Sequence, residues 1–120
     1  MKKKIKKISI ITVCLNSEKH IERCIKSVKY QNYPKNKIEH IIIDGYSQDK
    51  TFKIIKKFKK DLFFFESKKD NGIYDAINKG IKKSTGSIIG ILNSDDYYYK
   101  NTFKIVNNYF NRYDINFLFG

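Results

Sequence analysis

Short β-branched runs alternate with amphipathic stretches along almost the whole chain, and this alternation limits the possible folds more than any other feature. Ile8 to Leu15, Ile38 to Ile43, Leu62 to Phe65 and Ile88 to Leu92 are nearly continuous in apolar character, as strands covered on both faces are. Between the first two, Ile21, Cys24, Ile25 and Val28 fall at i, i+3, i+4 and i+7, one face of a helix that ends before Pro34. Asn16 or Ser17 is its expected cap. Ser47 or Asp49 should cap a second helix, from about Thr51 to Lys60, with Phe52, Ile55 and Phe58 inward. A third carries Ile73, Ala76, Ile77, Gly80 and Ile81 as one stripe and is broken at Thr85-Gly86. A fourth begins at Asn101 or Thr102 and carries Phe103, Val106 and Phe110, and Ile115 to Phe119 reads as a fifth strand. The pattern calls for an α/β fold: three layers, a mainly parallel sheet with helices on both faces, Rossmann-like, joined by right-handed crossovers. The length of 120 residues suits one domain, 1–120, with residues 1–7 as a basic lead-in.

The net charge of +13 would suit a nucleic-acid or membrane binder, but the lysines are scattered among Ile, Asn and Tyr and read as solvated faces. A specific nucleic-acid partner is therefore not expected; peripheral contact with an anionic membrane surface is compatible with the charge. Lys2 to Lys7 followed by Ile8 to Leu15 imitates a signal peptide, yet Asn16, Ser17 and Glu18 follow where a small-residue cleavage site would stand. No run approaches the roughly 20 apolar residues that span a bilayer. Cys14 and Cys24 have neither CxxC nor zinc-like spacing and read as reduced core thiols of a cytoplasmic protein.

In open parallel sheets, ligands sit beyond the carboxyl ends of the strands. The loops there are polar: Asn16-Ser17, Asp44-Gly45, Asp70-Asn71-Gly72 and Asn93-Ser94-Asp95-Asp96. Asp95 and Asp96, side by side at a strand end, suit a hard divalent cation such as Mg²⁺ or Mn²⁺ that leaves positions free for phosphates. Two aspartates in a strand-to-helix turn also commonly cap backbone amides. Asp44 is open to the same two readings, a turn residue or an acceptor for hydrogen bonds from a base or ribose.

Taken together, four blocks resemble the ordered motifs of family 2 glycosyltransferases with the GT-A fold. They are Ser9 to Asn16, Ile42 to Thr51, Asp70 to Gly80 and Leu92 to Asp96. The third is especially similar to bacterial members that assemble capsule, lipopolysaccharide or related surface glycans. The resemblance implies inverting transfer of a sugar from a nucleotide-sugar, most often a UDP-sugar, to a glycan or lipid-linked acceptor, in the cytoplasm or at the inner face of the membrane. It implies that Cys14 and Asn16 line the nucleotide pocket, that Asp44 contacts the base, and that Asp70 and Asn78 shape the donor side. Asp95 and Asp96 would be the DXD-type motif that holds Mn²⁺ or Mg²⁺, Asp96 the better candidate for direct coordination and Asp95 also part of the nucleotide-sugar site.

Departures from the family pattern also carry information. Val13-Cys14-Leu15 stands where Pro-Thr-Tyr is common, and Tyr46 stands where glycine is common, so a positive φ there would strain the loop. The family's catalytic base lies downstream of the acidic pair, so no carboxylate here is assigned that role. The GT-A sheet order of 3-2-1-4-6-5-7 implies an incomplete nucleotide-sugar-binding domain, truncated at its C-terminus, whose fifth strand would be an edge able to pair with another chain. Two other classes compete. A nucleotidyltransferase or other nucleotide-binding domain lacks support, because neither a Gly-rich loop after the first strand nor GxxxxGK[ST] is present. A charge-driven nucleic-acid binder would show steep salt dependence and indifference to UDP.

Overall fold

The computed structural model describes residues 4–113. Its strands are β1 (Ile8–Cys14), β2 (Ile38–Asp44), β3 (Phe64–Ser67) and β4 (Ile88–Ile91), and its helices α1 (Ile21–Lys29), α2 (Thr51–Lys57), α3 (Ile73–Lys83) and α4 (Thr102–Arg112). The strands form one sheet in the order β3-β2-β1-β4, every pair parallel. This is the expected 3-2-1-4 portion of the GT-A order. The expected strand at Ile115 to Phe119 lies outside the described residues.

All seven residues of β1 are buried, because it has a strand on each side and helices above and below. Its residues alternate between two cores, as the strand repeat requires. Ile8 and Ile10 pack with Cys24 and Val28 of α1 and Phe103 of α4, while Cys14 joins Ile21, Ile25 and Ile55 on the same side. Ile11 and Val13 pack on the other side with Ile41, Ile43 and Ala76 of α3. Three helices thus cover one face and α3 the other. On the α3 side of β4, Ile89 and Ile91 stay 44% and 45% exposed, since α3 lies over β1 and β2 and does not reach them.

Element boundaries differ from the sequence expectation where local bonding, invisible in an apolar pattern, decides them. The second helix stops at Lys57, and a 3₁₀ turn at Lys59–Asp61 follows. That turn delays the third strand, so β3 begins at Phe64 instead of Leu62. Neither Asn16 nor Ser17 caps α1 with its side chain. His20 occupies the cap position without a side-chain bond, and the Ser17 carbonyl accepts the His20 and Ile21 N–H groups. For α2 the cap position is Lys50, while Asp49 accepts the Thr51 N–H at 2.9 Å. The lead-in is tied down from Lys4: Asn107 exchanges bonds with the Lys6 N–H and the Lys4 carbonyl, and the Tyr33 hydroxyl donates to the Lys6 carbonyl.

Two buried polar groups set the behaviour of the core toward acid. Glu39 is held at the start of β2 by the Ser9 hydroxyl at 2.7 Å, by the Thr85 N–H at 2.9 Å and by the Thr85 hydroxyl, with Lys7 at 3.5 Å. Burial works against its charge, but the Thr85 and Ser9 bonds and Lys7 outweigh it and hold the carboxyl below its usual range. His40 Nε2 lies 2.8 Å from the Thr12 hydroxyl, and its Nδ1 has no partner among the described residues. We assign the proton to Nε2, which leaves a bare acceptor in the core instead of a costlier orphaned donor. Burial depresses the His40 pKa to about 3.

Both groups make the fold acid-sensitive. The unfolded chain protonates His40 below about pH 6.5 and the folded chain only near 3, so stability is lost as pH falls through that window. Glu39 adds to the loss at the acidic end, as pH drops from its unfolded value toward its lower folded one. In urea denaturation the unfolding free energy should fall by about 1.4 kcal/mol per unit as pH is lowered from about 6 to 4, owing to His40, and His40→Asn should flatten that dependence. A second expectation concerns Gly80, where an added Cβ would stand 2.5 Å from Ile11 Cγ2. Gly80→Val should cost about 1–3 kcal/mol in urea denaturation, because α3 must lift off β1.

Candidate functional site

The carboxyl end of β1 is where three loops meet. Asn16 has φ of 52°, a left-handed conformation that asparagine tolerates, and it turns the chain sharply after β1. The Asn16 N–H donates to the Ser47 hydroxyl at 2.8 Å, and the Asn16 side-chain oxygen accepts the Gln48 N–H at 2.9 Å. Ser17 extends the tie in two directions. Its N–H donates to Thr51 Oγ1 at 2.7 Å, and its hydroxyl pairs with the Ser94 hydroxyl at 2.7 Å. The loop after β1 is thereby bonded to the loops after β2 and β4.

Asp44 ends β2 fully buried. Its oxygens accept from the Ser47 N–H at 3.0 Å, the Ser47 hydroxyl, the Ser67 hydroxyl at 2.6 Å and the Cys14 thiol at 3.4 Å. Burial, with the Asp44 carboxylate beside it, pushes the Cys14 thiol well up and keeps it a donor. Tyr46 does adopt a positive φ, 69°, in a side chain that disfavours it. Such a conformation costs on the order of 1–3 kcal/mol, offset here by the Asp44 bonds that close the loop around it. Asp70 follows β3 and accepts the Gly72 N–H at 3.0 Å, and its other oxygen faces Gly45, where a Cβ would come within 3.2 Å. Lys68 N–H to the Asp44 carbonyl, at 3.0 Å, draws the two loops together.

β4 is continued by the bond from the Leu92 N–H to the Ile11 carbonyl at 2.9 Å. A tight turn follows, closed by the Asp96 N–H on the Asn93 carbonyl at 3.0 Å. Ser94 is buried and points back to Ser17, which leaves Asp95 and Asp96 exposed. Among the described residues neither carboxylate has a hydrogen-bond or ion-pair partner in its side chain. Two adjacent, unpaired oxygen donors at the end of a strand fit a hard divalent cation with positions left for other oxygen ligands. Among the described residues no group of three or more metal-binding side chains is gathered, so further ligands would come from elsewhere. From α1, Arg23 reaches this turn, donating to the Asp95 carbonyl at 3.1 Å with its guanidinium 4.4 Å over the Tyr97 ring.

Cys14, Asn16, Asp44 and Asp70 therefore cluster at the ends of β1, β2 and β3, and Asp95 and Asp96 join them across the Ser17–Ser94 bridge. Asn78 stands apart. It is exposed on α3, about 160° around the helix from Ala76 and Gly80, the residues that face the sheet. Ser17, Ser47, Ser67 and Ser94 carry the site's wiring but form no motif that spacing reveals. Two clefts, of about 350 and 570 Å³, lie elsewhere, beside Val28 and Ile38 and beside Ile5 and Tyr33.

A parallel sheet in this order, with an acidic pair after its fourth strand, fits the first part of a GT-A fold. The chain belongs to the family 2 glycosyltransferases, whose family model matches residues 9–120. It is 36% identical over 89 residues to an uncharacterised glycosyltransferase of Mycobacterium tuberculosis, covering 74% of this chain and 34% of that protein. It is 32% identical over 101 residues to the poly(ribitol-phosphate) β-N-acetylglucosaminyltransferase TarS of Staphylococcus aureus, covering 82% of this chain and 18% of TarS. The crystal structure of S. aureus TarS 1–349 with UDP-GlcNAc superimposes with a TM-score of 0.82 at 28% identity, covering 88% of this chain and 31% of that one. The chain thus spans about a third or less of the length of these relatives. A mannosyltransferase of Pyrobaculum calidifontis, in complex with GDP-Man and Mn²⁺, shares the fold with a TM-score of 0.77 at 22% identity.

The thiols provide a direct check of this geometry. Cys14 and Cys24 are buried and free, and burial raises Cys24 to about 11. Native protein should therefore react with a thiol reagent such as DTNB at least 100-fold more slowly than urea-unfolded protein, with both thiols released together.

Proposed function

We propose that this chain is the donor-binding portion of an inverting glycosyltransferase that takes its sugar from a nucleotide-sugar, a UDP-sugar above all, for surface-glycan synthesis. The observation that carries the reading is the exposed, unpaired Asp95-Asp96 turn, bonded through Ser94 to the corner of β1 beside Asp44 and Asp70. The relatives named above and the UDP-GlcNAc complex of TarS support it. Residues 1–120 act in this reading as one nucleotide-sugar-binding unit. Asp96, with Asp95, would hold Mn²⁺ or Mg²⁺, whose charge offsets that of the departing diphosphate.

The chain's own groups divide the remaining work. Asp70, half-exposed beside Gly45, faces the nucleotide side. Asn16 keeps its side-chain N–H₂ free while its oxygen holds Gln48, so it contributes donors to the pocket. Asp44 meets the base only if Ser47 and Ser67 release it; otherwise it organises the loop that does. Cys14 contributes through its backbone and through its bond to Asp44. Asn78 shapes the donor side only through α3, since its side chain faces away from the sheet.

Among the described residues no helix is long and apolar enough to cross a membrane. A cytoplasmic location, at the inner face of the membrane, is part of the same reading. It is supported by two free thiols, which suit a reducing compartment, and by the net charge of +13, which suits contact with anionic lipid. The test is titration calorimetry with UDP and with UDP-GlcNAc. Binding should require Mn²⁺ or Mg²⁺ and should weaken by more than tenfold in Asp96→Asn. Binding that ignores the metal, or is unchanged in that variant, would remove the assignment.

A further inference from the structure

Arg23 is one of only two arginines in a chain otherwise supplied with lysine, and no motif includes it. Its position is fixed from below, because Ile21, Cys24 and Ile25 on either side of it in α1 are at most 1% exposed. Its exposed guanidinium makes two contacts at once, an in-plane N–H to the Asp95 carbonyl at 3.1 Å and a face laid over Tyr97 at 4.4 Å. A guanidinium presents its N–H edge to the carbonyl and its flat face to the ring in one fixed geometry, which the point-like ammonium of a lysine does not reproduce.

The Asp95 carbonyl belongs to the peptide that links Asp95 to Asp96. Holding that oxygen restrains the peptide plane that carries the Cα atoms of both aspartates. The Tyr97 contact holds the residue just beyond, so Arg23 grips the turn on both sides of Asp96. The rest of the turn is held from the same segment: Cys24 Sγ is 3.8 Å from the Asn93 carbonyl, and the Ser17 hydroxyl meets that of Ser94. The Asp96 N–H on the Asn93 carbonyl closes the turn, and among the described residues the two carboxylates have no partners of their own.

We propose that Arg23 is a positioning residue for the divalent-cation site. It clamps the acidic turn to α1 so that two flexible carboxylates are presented in a fixed pose. The proposal rests on the metal reading given above. It has a counter-intuitive sign, which makes it decidable. A cation beside a metal site repels the metal, so an Arg23 acting through charge alone would weaken Mn²⁺ binding, and its removal would tighten it. A clamp predicts the reverse, because a lost orienting partner of metal ligands typically lowers affinity about 10–100-fold.

The experiment is titration of Mn²⁺, alone and with UDP, into the protein, free ion being read by electron paramagnetic resonance. Arg23→Ala should bind Mn²⁺ at least about tenfold more weakly than wild type, Arg23→Lys should not restore it, and Tyr97→Leu should share part of the loss. Thermal midpoints without metal should stay level, since Arg23 and Tyr97 are surface groups. Unchanged or tighter binding in Arg23→Ala, or full recovery in Arg23→Lys, would overturn the clamp while leaving the metal reading intact. A metal-free midpoint that falls in step with affinity would also overturn it, assigning Arg23 to the fold. Wild-type protein that binds Mn²⁺ neither alone nor with UDP would remove the metal reading and the clamp together.

Discussion

β1 has no solvent on any side, and the rest of the structure is arranged to make that tolerable. A strand hydrogen-bonded to β2 and β4 and covered by α1 and α3 is mostly apolar, its Ser9 and Thr12 bonded to Glu39 and His40, but the first polar residues after it emerge into a crowded corner. Asn16 and Ser17 bond there to Ser47 in the loop after β2, to Thr51 at the start of α2 and to Ser94 in the turn after β4. The end of one strand thus ties together the segments that follow β2 and β4.

The same corner separates two kinds of aspartate. Asp44 is enclosed, with each oxygen answered by protein donors, and its value lies in shape: it closes a loop in which Tyr46 is held at a φ it would not choose. Asp95 and Asp96 are left exposed and unanswered, and their value lies in what they can still bind. Both sets stand at strand ends and look alike as text. Burial and the supply of neighbouring hydroxyls make the difference, since a buried charge must be hydrogen-bonded and an exposed one need not be.

Much of the fold was legible because the strands are buried on both faces. Ile8 to Cys14 and Ile41 to Ile43 are largely β-branched and apolar, and the α1 stripe of Ile21, Cys24, Ile25 and Val28 is buried as its period requires, whereas Ile73 and Ile81 of the α3 stripe are exposed. The third strand was less legible, since an apolar stretch does not record where a 3₁₀ turn ends and a ladder begins. Caps were misjudged for a related reason: Asn16 and Ser17 are good capping residues, but stronger claims on their side chains come from chain segments about 30 and 77 positions away. Adjacency alone left Asp95-Asp96 open between capping and metal binding; only its company with the other strand-end blocks favoured the second. Arg23 was not legible, because its meaning depends on a turn 72 residues later being folded against its helix.

Among the described residues β4 is paired on one side only, with β1. In mechanical terms the acidic turn rides on a cantilever, clamped along one edge and free along the other, with Ile89 and Ile91 bare on its underside. A beam held on one edge twists more easily than one held on both, and angular error at its tip grows with that twist. The contacts from Ser17, Arg23 and Cys24 then act as a brace at the free end, where a small force has the greatest leverage. Any strand laid along the outer edge of β4 would stiffen the beam itself, so the aim of two carboxylates is tied to what that edge carries.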